Sequence, residues 1–451
     1  PGNPPVRRPF CPRMILLLGC ALPPCPAEPE FFTPLTEPLV VVDIGSGFAL
    51  DGGAQPIDGH EGFIGPGRAS TSFIVGRGTP LRVVYDVEVT EPSSLVIRFG
   101  ETDDDATTIA EVEVNGAGTL EVTPLAPGRR MEVVFASDGV LRIDDFQVEY
   151  DDWGEVEPEG DGVLQLGMLV HVEDIAEVLT SEGNFTRRGR VLERLAQTLA
   201  NHGGKLTYQV DITFVDGAQQ WDAEYFDRVA ALGGSWSGHL HDESEGEEAL
   251  EAAARDTRVR YGEVGIGLRD INGGFQIAPY DRFASAGYWS MSAFKDPATQ
   301  AGLPRDSVLP WRPPDGTGTA DVDAFLAHDD AGPMLYLGGG MQSEPAHDRV
   351  AEVTRRRLSQ MLDHTRDGQI NTAYMVTHVD FFSPLGDDDS DWDAYLDDGR
   401  LDADLAHYDR MLSEVVDPLV ADGRVRWAGS GEMGRCVRDA EVACGRVVED
   451  P

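Results

Sequence analysis

The chain is 451 residues long, enough for two or three domains, and a hydrophobic content of 41% is enough to build real cores. Its 36 basic and 79 acidic residues give a formal charge of −43, which excludes nucleic acid or an anionic membrane face as the main partner. Only Lys205 and Lys295 are lysines, and the acidic surplus reads as a solvated surface.

In chain order, Arg7, Arg8 and Arg13 precede an apolar stretch at 14–18 that is too short to cross a bilayer. It ends in Leu17-Leu18-Gly19-Cys20 and reads as an export signal. It resembles the lipobox of bacterial lipoproteins, in which the cysteine becomes the lipidated first residue. An ordinary secretory peptide, or an extension upstream of a start at Met14, is the alternative. Residues 21–38 are rich in Pro and Glu, so 1–38 is expected to be signal plus tether. The expected location is the cell envelope or surface, with a lipid anchor as the sole membrane contact, or the outside as a secreted protein. Three of the five cysteines lie in this leader, and Cys436 and Cys444 are expected to close a short disulfide loop.

From 39 to 150 the apolar period is two. Runs at 81–89, 94–99, 109–114, 119–122, 130–135 and 141–150 are separated by Glu91-Pro92, Asn115-Gly116, Pro127-Gly128 and Asp138-Gly139. Short strands with such turns predict an antiparallel β-sandwich. The last run, LRIDDFQVEY, resembles the closing strand of jelly-roll carbohydrate-binding modules, so the module is expected to bind sugar or to act as a spacer. Phe48, Phe63, Phe73 and Tyr85 alternate and read as core. Residues 151–161 (DDWGEVEPEGD) read as an acidic linker.

From 162 to 451 strands alternate with amphipathic helices. Strands are predicted at 163–172, 206–210, 233–241, 264–268, 288–292, 334–337, 373–378 and 425–428. Helices are predicted at 188–202, 223–231, 280–286, 346–364 and 402–416. Repeated strand–helix units imply a parallel sheet. Two of its strands finish in ionisable residues. Residues 164–174 (LQLGMLVHVED) end in His171, Glu173 and Asp174, and 235–243 (SWSGHLHDE) contain His239 and His241. Such side chains at the carboxyl ends of buried strands are ligand chemistry for a divalent metal such as zinc. Two residues apart on a strand is one face, so His239 and His241 can reach one ion, and His171 with Glu173 can do the same. His60, His202, His328, His347, His364 and His407 show no such pattern and read as surface. The acidic run at 387–391 reads as a solvated loop because an EF-hand glycine and closing glutamate are missing. Gly338-Gly339-Gly340 lacks the lysine of a phosphate loop and reads as a turn.

The order of HVED, then HGGKLTYQV, then GGSWSGHLHDE resembles the polysaccharide deacetylase (NodB-homology) superfamily, over roughly residues 163–432. The resemblance implies an incomplete (β/α)7 barrel and metal-dependent removal of acyl groups from a glycan or polysaccharide. It places the acidic pair on Glu173 and Asp174, the first as general base and the second as metal ligand with His239 and His241. The late Leu-x-His segment falls on Tyr374-Met-Val-Thr-His378, making His378 the proton donor to the leaving group. The chain departs from the family in three places. Its histidines stand two apart where the family has four, a glutamate replaces the first aspartate, and Leu268-Arg269-Asp270-Ile271-Asn272-Gly273-Gly274 occupies the place of an Arg-Pro motif. A competing ligand set is therefore His171, Glu173, His239 and His241. Two other functions remain open: a catalytically silent surface protein that binds glycan, or a metal-free retaining glycosidase with Glu173 as nucleophile. A monomer is expected.

Overall fold

The computed structural model describes residues 26–32, 49–52, 54–57, 60–75, 81–100, 107–123, 125, 129–150, 158–172, 181–240, 247–272, 280–292, 307–314, 322–342, 350–379, 382, 389–397 and 399–446. Its first half is antiparallel. The strands are β1 (Ala49–Asp51), β2 (Gln55–Ile57), β3 (His60–Ile64), β4 (Gly67–Val75), β5 (Leu81–Val89), β6 (Ser93–Gly100), β7 (Thr107–Val114), β8 (Gly118–Val122), β9 (Arg129–Ser137) and β10 (Leu141–Tyr150). They form two five-stranded sheets, ordered β1-β4-β9-β6-β7 and β2-β3-β10-β5-β8. The chain crosses repeatedly between the sheets, which is a jelly-roll-like path. Alternate residues point inward: Leu81, Val83, Tyr85 and Val87 on β5, and Leu95, Ile97 and Phe99 on β6, are buried in one cluster. Tyr85 is core, as its position in the alternation predicts. It faces Gly118 across the β5–β8 ladder, where an added Cβ would stand 2.4 Å from the Tyr85 ring, so a side chain there would displace the ring. Phe48 and the side chains of Phe63 and Phe73 lie outside the described residues.

The second half is a curled parallel sheet. Its strands are β11 (Leu164–Val172), β12 (Leu206–Val210), β13 (Ser235–His239), β14 (Asp270–Asn272), β15 (Ser290–Ser292), β16 (Leu335–Leu337), β17 (Gly340–Gln342), β18 (Asn371–His378) and β19 (Val425–Trp427). The order is β16-β15-β14-β13-β12-β11-β18-β17, with β19 beside the start of β11. The segment 335–342 pairs with β15 through β16 and with β18 through β17. Gly339 joins the two halves at φ +82°, and a Cβ there would stand 2.4 Å from the Thr372 carbonyl, so glycine is required at this close approach.

Helices flank the sheet: α1 (Glu182–Asn201), α2 (Ile212–Trp221), α3 (Tyr225–Ala231), α4 (Glu247–Glu263), α5 (Tyr280–Ser285), α6 (Val322–Leu326), α7 (Val350–Asp363), α8 (Asp389–Asp397), α9 (Arg400–Met411) and α10 (Asp417–Ala421), while α11 (Ser430–Ala443) packs on its inner face. In α1 the Ser181 hydroxyl accepts from Asn184 N at 3.2 Å, a cap worth about 1 kcal/mol, and Val191, Leu192, Leu195 and Leu199 are buried. Helix α11 runs along the amino ends of the strands. Ser430 N donates to Thr207 Oγ1 at 3.3 Å, while Met433 and Val437 join Leu169, Tyr374 and Val376 in one buried cluster. Arg312 and Glu441 lock this helix in a buried two-pronged pair of 2.8 and 2.6 Å.

Several expectations are corrected. Cys436 and Cys444 do not close a loop on each other. They lie within and at the end of continuous α11, and eight helical residues span about 12 Å along the axis, against the ~4.4–6.8 Å between Cα atoms that a disulfide allows. The strand expected at 264–268 is a turn, and β14 begins at Asp270. Asp389–Asp391 open α8 rather than lying in a loop. His202 is not a surface residue: its Nδ1 meets Asp417 at 2.7 Å and its Nε2 meets Asp409 at 3.1 Å. His328 takes the backbone N–H of Arg312 on Nδ1 at 3.2 Å.

Residues 26–32, expected to be tether, pack on the barrel base. Ala27 N donates to Gln369 Oε1 at 2.8 Å, Glu30 pairs with Arg366, and the Phe32 ring stacks on His364 at 4.1 Å. The end of the expected linker is fixed there too: Glu159 N donates to Asp363 Oδ1 at 2.6 Å and Gly162 N to Thr365 Oγ1 at 3.2 Å. Among the described residues no helix is long and apolar enough to cross a membrane. Cys20 lies outside them.

Candidate active site

Interior positions on a barrel strand recur every second residue. On β11 this register puts Leu169 and His171 inside, while Met168, Val170 and Val172 join the outer core against the helices. On β18 it puts Tyr374, Val376 and His378 inside, and on β13 Ser237 and His239. The result is a cluster of three imidazoles at the carboxyl end of the sheet. The His171 and His239 ring centroids are 4.9 Å apart and those of His171 and His378 are 4.8 Å apart, both edge to face. His171 and His239 are buried, whereas His378 is half-buried.

Three of the residues that sequence reasoning singles out are thus brought together. Glu173, Asp174 and His241 follow the same strand ends but lie outside the described residues. Among the described residues, no group of three or more His, Cys, Asp or Glu side chains is placed to hold a metal ion. The described part therefore offers imidazole donors of the right class for zinc, but no complete ligand set.

Beside the imidazoles lies a buried polar network that sequence reasoning missed. Asn272 Nδ2 lies 3.2 Å from His171 Nε2 and 3.2 Å from Gln209 Oε1. Gln209 Nε2 donates to the Ser292 carbonyl at 3.0 Å and to Ser292 Oγ at 2.9 Å. Ser292 Oγ donates onward to Asp270, which Ser290 Oγ also reaches at 2.7 Å. Burial pushes the Asp270 carboxyl above its ordinary pKa, opposed by hydrogen bonds from Ser292, Ser290, Ser237 and Ser430. The signal was present in the sequence. Gln209, Asp270, Asn272, Ser290 and Ser292 occupy alternate positions on consecutive strands, which marks an interior too polar to be simple core. Arg269, by contrast, faces away: it donates to the Gly287 carbonyl at 2.8 Å and lies over the Trp289 ring.

No protein-family model matches the sequence, and no curated protein matches it either. Solved structures do resemble parts of it. A Mycobacterium smegmatis protein assigned as a polysaccharide deacetylase is 15% identical, covering 66% of this chain and 97% of its own, with a TM-score of 0.41. A peptidoglycan deacetylase, PdaC of Bacillus subtilis, is 12% identical over 64% of this chain and 98% of its own, with a TM-score of 0.30. A family 6 carbohydrate-binding module from the laminarinase LamC of Zobellia galactanivorans is 13% identical over 25% of this chain and 98% of its own, with a TM-score of 0.20. Each is a partial likeness of architecture.

Proposed function

We propose that the chain is an exported, metal-dependent hydrolase that removes acyl groups from a glycan or related polymer. The observation that carries this reading is the convergence of His171, His239 and His378 inside the carboxyl end of the parallel sheet. His239, with His241 and Asp174, would hold a divalent ion, zinc by its ligand chemistry. When bound, such an ion polarises the scissile carbonyl and acidifies its water. Glu173 would accept the proton of that water. His378, half-buried where His171 and His239 are buried, is the imidazole open to substrate and would donate a proton to the departing amine or alkoxide.

The sandwich is in this reading either a sugar-binding module or a spacer. Among the described residues, a groove on it is lined by Arg68, Ser94, Glu111, Glu113 and Asp138, polar side chains able to hydrogen-bond a sugar.

A second reading, a catalytically silent glycan-binding protein, is favoured by two departures in the sequence: the two-residue spacing of His239 and His241, and the segment 268–274 standing where the family has an Arg-Pro motif. Metal content of the purified chain, together with acetate release from acetylated oligosaccharides, separates the two. Stoichiometric zinc that disappears in His239→Ala, along with acetate release, supports the hydrolase. Reducing sugar released without metal would instead indicate a glycosidase.

A further inference from the structure

The chain of amides beside the imidazoles has a direction that elementary hydrogen-bond chemistry fixes. The Ser292 carbonyl can only accept, so the group of Gln209 that lies 3.0 Å from it is the NH2, and Gln209 Oε1 faces β14. Asn272 approaches that oxygen at 3.2 Å and must present its own NH2, because the reversed amide would set two oxygens against each other. The second hydrogen of the same NH2 then meets His171 Nε2 at 3.2 Å. An NH2 group donates and does not accept, so Nε2 must offer its lone pair. A neutral imidazole with an accepting Nε2 carries its proton on Nδ1. Gln209 and Asn272 are 0% and 4% exposed, so water does not compete for these bonds.

We infer that Gln209 and Asn272 are positioning residues that hold His171 as the Nδ1–H tautomer, with Nε2 engaged by Asn272 and the proton on Nδ1, so that neither nitrogen offers a lone pair to a cation. This deepens the proposed function and rests on it for the identity of the site. It removes His171 from the ligand set, which leaves His239, His241 and Asp174. His171 becomes a fixed wall between His239 and His378, setting the angle at which each faces the mouth.

The test uses the full chain with 15N-labelled histidine, the His171 signals being identified by their loss in His171→Gln. Wild-type protein is expected to show His171 with a protonated Nδ1 and an unprotonated Nε2. Asn272→Asp replaces the donor by an acceptor and should move the proton to Nε2. Wild-type His171 protonated on Nε2 would overturn the inference, whatever the variant does. In a second arm, zinc alone is titrated into each protein. His171→Gln should keep the wild-type stoichiometry while His239→Ala loses it, and loss of zinc in His171→Gln would also overturn the inference. If wild-type protein takes up no zinc, the proposed function fails, while the tautomer result still decides the inference.

Discussion

His171 and His378 are register partners on adjacent parallel strands, and their rings meet edge to face with centroids 4.8 Å apart. One is buried and the other half-buried. His378→Ala should therefore slow acyl release by about 10²–10⁴-fold, the range for a positioned acid, with metal content unchanged. Turnover and metal content measured on the same preparation check this. A loss below tenfold would assign His378 a packing role.

The Arg312–Glu441 pair holds α11 against the rest of the barrel, with side chains 6% and 5% exposed. Glu441→Gln leaves a buried guanidinium without its counter-charge, which costs about 3–5 kcal/mol. Denaturant unfolding followed by tryptophan fluorescence should show the barrel transition at a clearly lower midpoint. An unchanged midpoint would mean that water reaches the guanidinium once the pair is broken.

Burial of His202 pulls its pKa down, but hydrogen bonds to Asp417 and then Asp409 outweigh this, and the net shift is upward. A histidine whose pKa is raised on folding adds stability that is complete below the unfolded value of about 6.5 and is lost as pH climbs through the folded one. His202→Gln should lower the melting temperature at pH 5.5 and make far less difference at pH 9. A gap of equal size at both values would show that packing, not charge, is what the residue contributes.

Cys436 and Cys444 lie within and at the end of continuous α11, which forbids their joining each other, so a bridge from either must reach another cysteine. The chain has only three other cysteines, Cys11, Cys20 and Cys25. The docked segment starts immediately after Cys25, with Arg446 Nη1 donating to the Pro26 carbonyl at 2.8 Å. Non-reduced peptide mapping of the full chain should link both helix cysteines to leader peptides. A 436–444 peptide, or a lipid on Cys20 together with two bridges that need it, would contradict this. Cys20 cannot serve as both anchor and bridge.

The three imidazoles were legible in the sequence because each closes an apolar run, and a strand that ends in histidine announces where its carboxyl end lies. Asn272 and Gln209 were not, because a single amide inside a strand looks like a break in the pattern until the neighbouring strands show the same alternation. The strand that ends in Asn272 is expected six residues too early because Val264 and Ile266 alternate with glycines that in fact turn the chain. Helix α2 was missed because its first turn, Ile212-Thr213-Phe214-Val215, is β-branched and aromatic. Asp211, accepting from Thr213 N and Phe214 N at 2.9 and 3.2 Å, starts it regardless of that composition. Helix α11 was hidden by reading two cysteines as the ends of a loop.

The segments before and after the sandwich land on the same short stretch of the barrel. Gln369, Arg366 and His364 receive residues 27–32, and Asp363 and Thr365 receive residues 159–162. The barrel is therefore discontinuous in sequence, and the sandwich is a cassette inserted into it, with entry and exit as neighbours. Insertions with adjacent ends can be excised or exchanged without stretching the host. Joining residue 32 to residue 158 through a short Gly/Ser bridge should leave a complete barrel. A chain cut to begin at 162 would strip Phe32 from His364 and Phe31 from Trp311, opening the base of the fold to water.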